Sequence, residues 1–176
     1  MPVDQASTGA FQLKWELRKH GWARCHLAEG SRRTSLTVSY GTDALADLVS
    51  AAGLLYGGYG ERRTARFFFD AEPQELRWVV RAGEAAGEDE VDVTVYRFPD
   101  VGVVPALPDA EGTVLWRSAH PRGVFAHAVL DAAQGVLAEH GEAGYRARWV
   151  LHPFPAGPLQ DLRRLHLRDD GCPQPH

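Results

Sequence analysis

The spacing of apolar residues constrains this chain most, because it switches between the period of a strand and the period of a helix. Over residues 11–18, apolar side chains alternate strictly with polar ones. A period of two over eight residues predicts a strand with one face on a core. Two more short segments, 22–27 and 34–40, follow after tight turns. Three such strands in succession predict an antiparallel meander.

After the first three strands, the apolar residues recur at helical spacing. Thr42 is a favourable N-cap for a helix that we expect to end at Gly57-Gly58. A second helix is expected from Pro121 to Gly141 and a short last one from Pro158, whereas Tyr145–Leu151 fits either a strand or a helix. Four more strands are predicted between the first two helices, at residues 64–70, 75–81, 91–98 and 113–119.

These elements predict one α+β domain over residues 1–176, a mostly antiparallel sheet with two to three helices packed on one face. The termini, 1–10 and 169–176, are expected to be frayed. The run Phe67-Phe68-Phe69 indicates a strand buried on both faces. The pattern does not decide whether the sheet is open or closed into a barrel.

Composition narrows the class of protein. The chain has no Ile, no Asn and two Lys among its 19 basic residues, a bias typical of a GC-rich, bacterial genome. No apolar run approaches the roughly 18 residues of a membrane span, and Met1–Ala10 lacks a signal-peptide pattern. Two cysteines, Cys25 and Cys172, do not make a disulfide framework. We therefore expect a cytoplasmic protein without a membrane partner.

The charge distribution argues against nucleic acid as a partner, since the chain carries 23 acidic and 19 basic residues. From Glu84 to Glu111 it has eight acids and one base, a net charge of −7. One interpretation is a solvated hairpin turn. The other is an acidic docking surface for a basic protein, with an aromatic anchor among the acids. The residues predicted to bind the partner are Glu84, Glu88, Asp89, Glu90, Asp92 and Tyr96.

A small enzyme or ligand-binding domain is the alternative, with a pocket between sheet and helices formed by Glu72, His120 and His152. A second set, His120, His127, Asp131 and His152, has donors that suit a transition metal. His127 and Asp131 are spaced i, i+4 on one helical face. No fixed metal-binding motif accompanies these residues, so neither a metal nor another cofactor is predicted.

Four features together suggest a family: Trp15 in the first strand, the Gly57-Gly58 helix end, the stretch Phe69-Asp70-Ala71-Glu72-Pro73, and Trp78. In this layout the chain resembles small α+β immunity proteins of bacterial polymorphic-toxin systems. The resemblance implies a non-enzymatic intracellular protein that sequesters a toxin domain, often through an acidic face. It supplies no motif that assigns a role to a single residue. We expect a monomer or homodimer that occludes a basic, toxin-like enzyme.

Overall fold

A computed structural model describes residues 9–57, 64–83 and 90–172. Its strands and helices confirm the α+β class. The strands are β1 Gln12–Leu17, β2 Trp22–Glu29, β3 Arg32–Ser39, β4 Thr64–Ala71, β5 Gln74–Ala82, β6 Glu90–Phe98 and β7 Thr113–Pro121. The helices are α1 Ala44–Leu54, α2 Arg122–Trp149 and α3 Ala156–Asp170, with a single 3₁₀ turn at Asp109–Glu111.

The strands form two antiparallel sheets rather than one. One has three strands in the order β1-β2-β3, and the other has four in the order β4-β5-β6-β7. Every neighbouring pair is consecutive in sequence, as expected for antiparallel meanders, and β6 is joined to β7 by the longer loop at 99–112. Helix α2 packs on β1 and contacts β6 and β7, whereas α1 contacts β4 and both other helices.

Aromatic side chains join the two sheets and α2 around one core. Trp15 on β1 meets Phe69 on β4 edge to face, with ring centroids 5.7 Å apart. The same indole meets Trp149 of α2 at 6.1 Å, also edge to face. All three side chains are buried, and such pairs add about 0.5–1.5 kcal/mol each beyond the apolar area that they bury.

The inward and outward positions of β4–β7 decide which surface is open to partners. On β6, Val91, Val93 and Val95 are fully buried, so the even-numbered side chains lie on the opposite face. On β4, Phe69 is buried but Phe68 is 38% exposed. The expectation of burial on both faces is therefore wrong for Phe68, because helices cover only the inner face of this sheet.

The C-terminal third differs most from expectation. Gly141 has φ 64° and ψ 173°, a local break, yet helical geometry resumes and continues to Trp149. The ambiguous segment 145–151 is thus mostly helical. Helix α3 runs to Asp170, so residues 169 and 170 are not frayed. Within the described part of the chain, no helix combines the length and apolar character needed to cross a membrane.

Candidate functional site

We call the side of β4–β7 that faces away from the helices the outer sheet face. The loop at residues 99–112 folds back on it and is held there by Asp109. One Asp109 oxygen accepts hydrogen bonds from both terminal nitrogens of Arg66, at 2.7 and 2.5 Å. The other accepts one from Arg77 at 3.1 Å, and Arg77 also donates to the Leu107 carbonyl at 2.6 Å. The loop is therefore anchored to the sheet.

This anchoring changes the charge map that the sequence suggests. Asp109 is one of the eight acids of the segment 84–111, but its side chain is only 17% exposed and is paired with two guanidinium groups. These two guanidinium groups neutralise the Asp109 carboxylate, so its charge contributes little to the attraction of a partner.

Four large apolar side chains are exposed on the outer sheet face and the loop that folds back on it. They come from β4, β7 and the loop, and together we call them the apolar patch: Phe68 (38% exposed), Val103 (39%), Val104 (90%) and Val114 (45%). A cavity of about 590 Å³ between loop and sheet is lined by Phe68, Val103 and Val104 with neighbouring residues. Tyr96 is half-buried directly opposite Val114 in the β6–β7 pairing.

The structure describes three of the six residues predicted to bind a partner. Glu90 and Asp92 are exposed near the start of β6, and Asp92 lies opposite Arg81 of β5. Tyr96 lies on the same face as Asp92, four residues and about 13 Å further along the strand. The other three, Glu84, Glu88 and Asp89, lie outside the described residues.

The residues of the alternative pocket do not converge. Glu72 is exposed in the turn between β4 and β5, and its N–H donates to Asp70 Oδ1 at 3.0 Å. His120 pairs with Val91 at the other end of the sheet, about 26 Å away along β5. His152 follows α2 and its Nδ1 lies 3.9 Å from Asp43 Oδ2, beside the start of α1. No shared cavity joins the three in the described part of the chain.

His120 is held by packing and ion-pair contacts within the fold. Its ring is stacked on Phe11 with centroids 4.5 Å apart, and its Nδ1 lies 3.4 Å from Glu29 Oε1. Burial lowers the pKa of His120, with a smaller contribution from Arg32, against the opposing attraction of Glu29 and Glu90. Its Nε2 is buried without a hydrogen-bond partner among the described residues. Protonation would thus create a buried donor without an acceptor.

This environment predicts an acid-sensitive contribution to stability. In the unfolded chain a histidine takes up its proton near pH 6.5, whereas folded His120 takes it up only at lower pH. Because the unfolded state then binds more protons, the free energy of unfolding falls as pH drops below about 6.5. We expect His120→Gln to flatten that decline, as measured by urea denaturation between about pH 7 and pH 5. An unchanged slope would contradict the assignment.

A cluster of polar side chains joins the ends of the three helices. Asp170, in the last turn of α3, accepts a hydrogen bond from Arg122 at 2.9 Å through Oδ1. Its Oδ2 accepts one from the Tyr56 hydroxyl and lies 2.8 Å from His166 Nδ1. Burial alone would raise the pKa of Asp170, but the hydrogen bonds from Tyr56, Arg122 and His166 outweigh it and lower that pKa. The guanidinium of Arg122 also stacks over the Tyr56 ring at 4.3 Å.

A second histidine–aspartate pair lies next to this cluster. His127 Nε2 lies 3.1 Å from Asp131 Oδ2, and His127 Nδ1 lies 3.5 Å from the Sγ of Cys172. The rings of His127 and His166 are 5.9 Å apart. Of the four metal-ligand candidates chosen from sequence, the structure brings together only His127 and Asp131.

His127 and Asp131 also line an open cavity of about 1010 Å³, where α2 runs beside β1. The opposite wall includes Glu16 and His26, whose side chains are paired at 3.0 Å. That hydrogen bond lowers the pKa of Glu16, helped by the nearby Arg18 and Lys14. The cavity has a pair of titratable side chains on each wall and is large enough for a small ligand.

Sequence reasoning missed Tyr56, Arg122, His166, Asp170 and Cys172. One signal was available: His166 and Asp170 repeat the i, i+4 spacing of His127 and Asp131. Two such pairs on separate helices can meet when the helices pack together. Comparison of the chain with family models, with curated proteins and with solved structures found no match.

Proposed function

We propose that this chain is a non-enzymatic protein-binding module whose contact surface is the outer sheet face together with the loop at 99–112. The apolar patch carries the proposal. Val104 is 90% exposed at the tip of a loop that ion pairs hold in place. Phe68, Val103 and Val104 line one cavity, and exposed apolar side chains grouped in this way are typical of a protein interaction site.

The charge beside the patch defines the partner's chemistry. Glu90 and Asp92 are exposed on β6, and Asp100 and Glu111 are exposed in the loop at 99–112. Clustered acids speed association with a basic protein and disfavour acidic competitors. We therefore infer a basic partner that presents apolar side chains to the patch.

One interface of ordinary size can include both features. Asp92 and Tyr96 are separated by about 13 Å along β6, and Tyr96 lies opposite Val114 of the patch. A standard interface covers about 800 Å² per partner, which corresponds to a disc roughly 30 Å across. In this arrangement the patch and Tyr96 supply the desolvated centre and the acids supply the rim.

The resemblance to immunity proteins supports the same function and makes it more specific. On that basis the partner is a toxin-like enzyme, and the chain inhibits it inside a bacterial cell by occluding its surface. Sequestration of this kind needs no chemistry from the chain itself.

A second candidate is a ligand-binding or enzymatic domain that uses the cavity beside α2. The observation in its favour is the pairing of titratable groups on both walls, Glu16 with His26 and His127 with Asp131. A small-molecule ligand would then raise the unfolding temperature of the purified chain, and it would do so in variants of the outer sheet face as well.

The proposal is tested by affinity capture from the source cells at low and moderate salt. The charge variant combines Glu90→Arg and Asp92→Arg. Its control combines Glu139→Arg and Asp161→Arg, which make the same charge change at exposed helix positions. We expect one basic partner, bound about tenfold or more weakly by the charge variant at low salt, and released from the wild type as salt rises.

The contribution of the apolar patch to partner binding is tested by Val104→Asp. The control is Leu151→Asp, at another exposed apolar position. We expect Val104→Asp to reduce capture and Leu151→Asp to leave it unchanged, with equal unfolding temperatures for both. If both outer-face variants capture the same partner as the wild type at low salt, the proposal is wrong.

A further inference from the structure

Three soft or borderline donor groups meet where the end of α3 returns to the start of α2. They belong to His127, His166 and Cys172, and one ligand atom from each lies within 4.8 Å of the other two. Gly171 makes this possible: at φ 60° it adopts the left-handed conformation that ends α3, and its N–H donates to the Leu167 carbonyl at 3.1 Å. This turn brings Cys172 back against His127.

Each histidine is oriented by a carboxylate one turn further along its own helix. Asp131 lies 3.1 Å from Nε2 of His127, so Nδ1 of that ring faces the thiol. Asp170 lies 2.8 Å from Nδ1 of His166, so Nε2 points to the opposite side. Carboxylates that hold the far nitrogen of a ligating imidazole fix its tautomer and raise its basicity, as in many zinc sites.

The separation of one donor pair already matches that around a small ion. Zinc binds nitrogen at about 2.0–2.1 Å and thiolate at about 2.3 Å in tetrahedral geometry, so its ligand atoms lie roughly 3.3–3.8 Å apart. The separation of His127 Nδ1 from Cys172 Sγ is 3.5 Å. His166 is buried and the other two residues are half-buried, so the donors are held in the fold and still reachable from solvent.

We propose that His127, His166 and Cys172 form a zinc-binding site. Two imidazoles and one thiolate favour Zn²⁺ over hard cations such as Mg²⁺ or Ca²⁺. Binding displaces the thiol proton to solvent, and a water molecule fills the fourth position of the tetrahedron. The ion would tie the end of α3 to α2. No metal is predicted from the sequence, and this site is independent of the outer sheet face.

The test uses the purified full chain, freed of metal with a chelator, and the metal ion alone as the probe. Calorimetric titration with Zn²⁺ is expected to show one equivalent bound. Titration with Co²⁺ is expected to produce a thiolate-to-cobalt charge-transfer band and the intense visible bands of a tetrahedral ion. Since the loss of an outer carboxylate alone costs about 10–100-fold in affinity, Cys172→Ser should weaken Zn²⁺ binding by about 100-fold or more and abolish the charge-transfer band.

Matched variants separate this site from adventitious binding. Asp131→Ala changes a half-exposed carboxylate and should weaken Zn²⁺ binding by about tenfold while the fold is retained. Cys25→Ala removes the other described thiol, which is buried in β2, and His20→Asn alters a turn histidine with φ 59°. Both should bind Zn²⁺ as the wild type does. Absence of a bound equivalent, or full binding by Cys172→Ser, would overturn the proposal.

Discussion

Replacing Asp170 with Ala is expected to lower the free energy of unfolding by about 3–5 kcal/mol, because it removes a mostly buried carboxylate that is paired with the guanidinium of Arg122. The side chains of Arg122 and Asp170 are only 11% and 15% exposed. The same substitution removes the acceptor for the Tyr56 hydroxyl and the partner of His166. Arg122 on α2, His166 on α3 and Tyr56 just after α1 thus lose one shared carboxylate, and urea denaturation at neutral pH measures the total.

The neighbouring residue provides the control. Asp169 pairs with Arg168 at 2.6 Å, but that guanidinium is 61% exposed, and exposed ion pairs contribute about 1 kcal/mol or less. We expect Asp169→Ala to change the free energy of unfolding by less than about 1 kcal/mol. Equal effects of the two substitutions would contradict the view that the Asp170 cluster ties the helices together.

Trp149→Ala is expected to cost about 3–5 kcal/mol of unfolding free energy, the usual range for a large aromatic residue removed from a core. Trp149 is fully buried. Its ring contacts that of Trp15 at 6.1 Å and that of Tyr145 at 6.3 Å. Truncation would therefore open a cavity where α2 meets β1.

Leu151→Ala is the matched control, since Leu151 lies two residues further along and is 63% exposed. Its expected effect is within about 0.5 kcal/mol, as for most surface substitutions. A loss below about 1 kcal/mol for Trp149→Ala would mean that the end of α2 does not pack on β1 as described.

The strands could be predicted because apolar residues at every second position directly indicate a strand with one buried face. Residues 11–17 and 91–95 alternate in sequence and in burial. The prediction that the strand at 67–69 is buried on both faces was wrong for a physical reason. Three consecutive phenylalanines do not alternate with polar residues, so the sequence cannot show that helices cover only one face. Phe68 then lies on the outer sheet face, where it becomes part of the apolar patch.

The end of α2 could not be predicted from local signals. Gly141 ends the favourable helical pattern, and its φ of 64° does break the geometry. Helix resumes because Tyr145 and Trp149 are both fully buried by tertiary packing, which overrides local propensity. The sequence also cannot show that Asp109 of the acidic segment is paired with Arg66 and Arg77.

The Asp170 cluster was beyond sequence reasoning for another reason. Tyr56 and Asp170 are 114 positions apart, and only the packing of α1 against α3 brings them together. The i, i+4 spacing of the two His–Asp pairs can be read from the sequence. The sequence does not show that the two pairs lie next to each other in the folded chain.

Hydrogen–deuterium exchange of the chain, with and without its captured partner, shows whether the partner binds the outer sheet face. We expect slower exchange in peptides covering the loop at 99–112 and the start of β6, with no change in peptides from β2 and β3. Slower exchange confined to β2, β3 and the start of α2, which line the cavity of about 1010 Å³, would contradict this expectation.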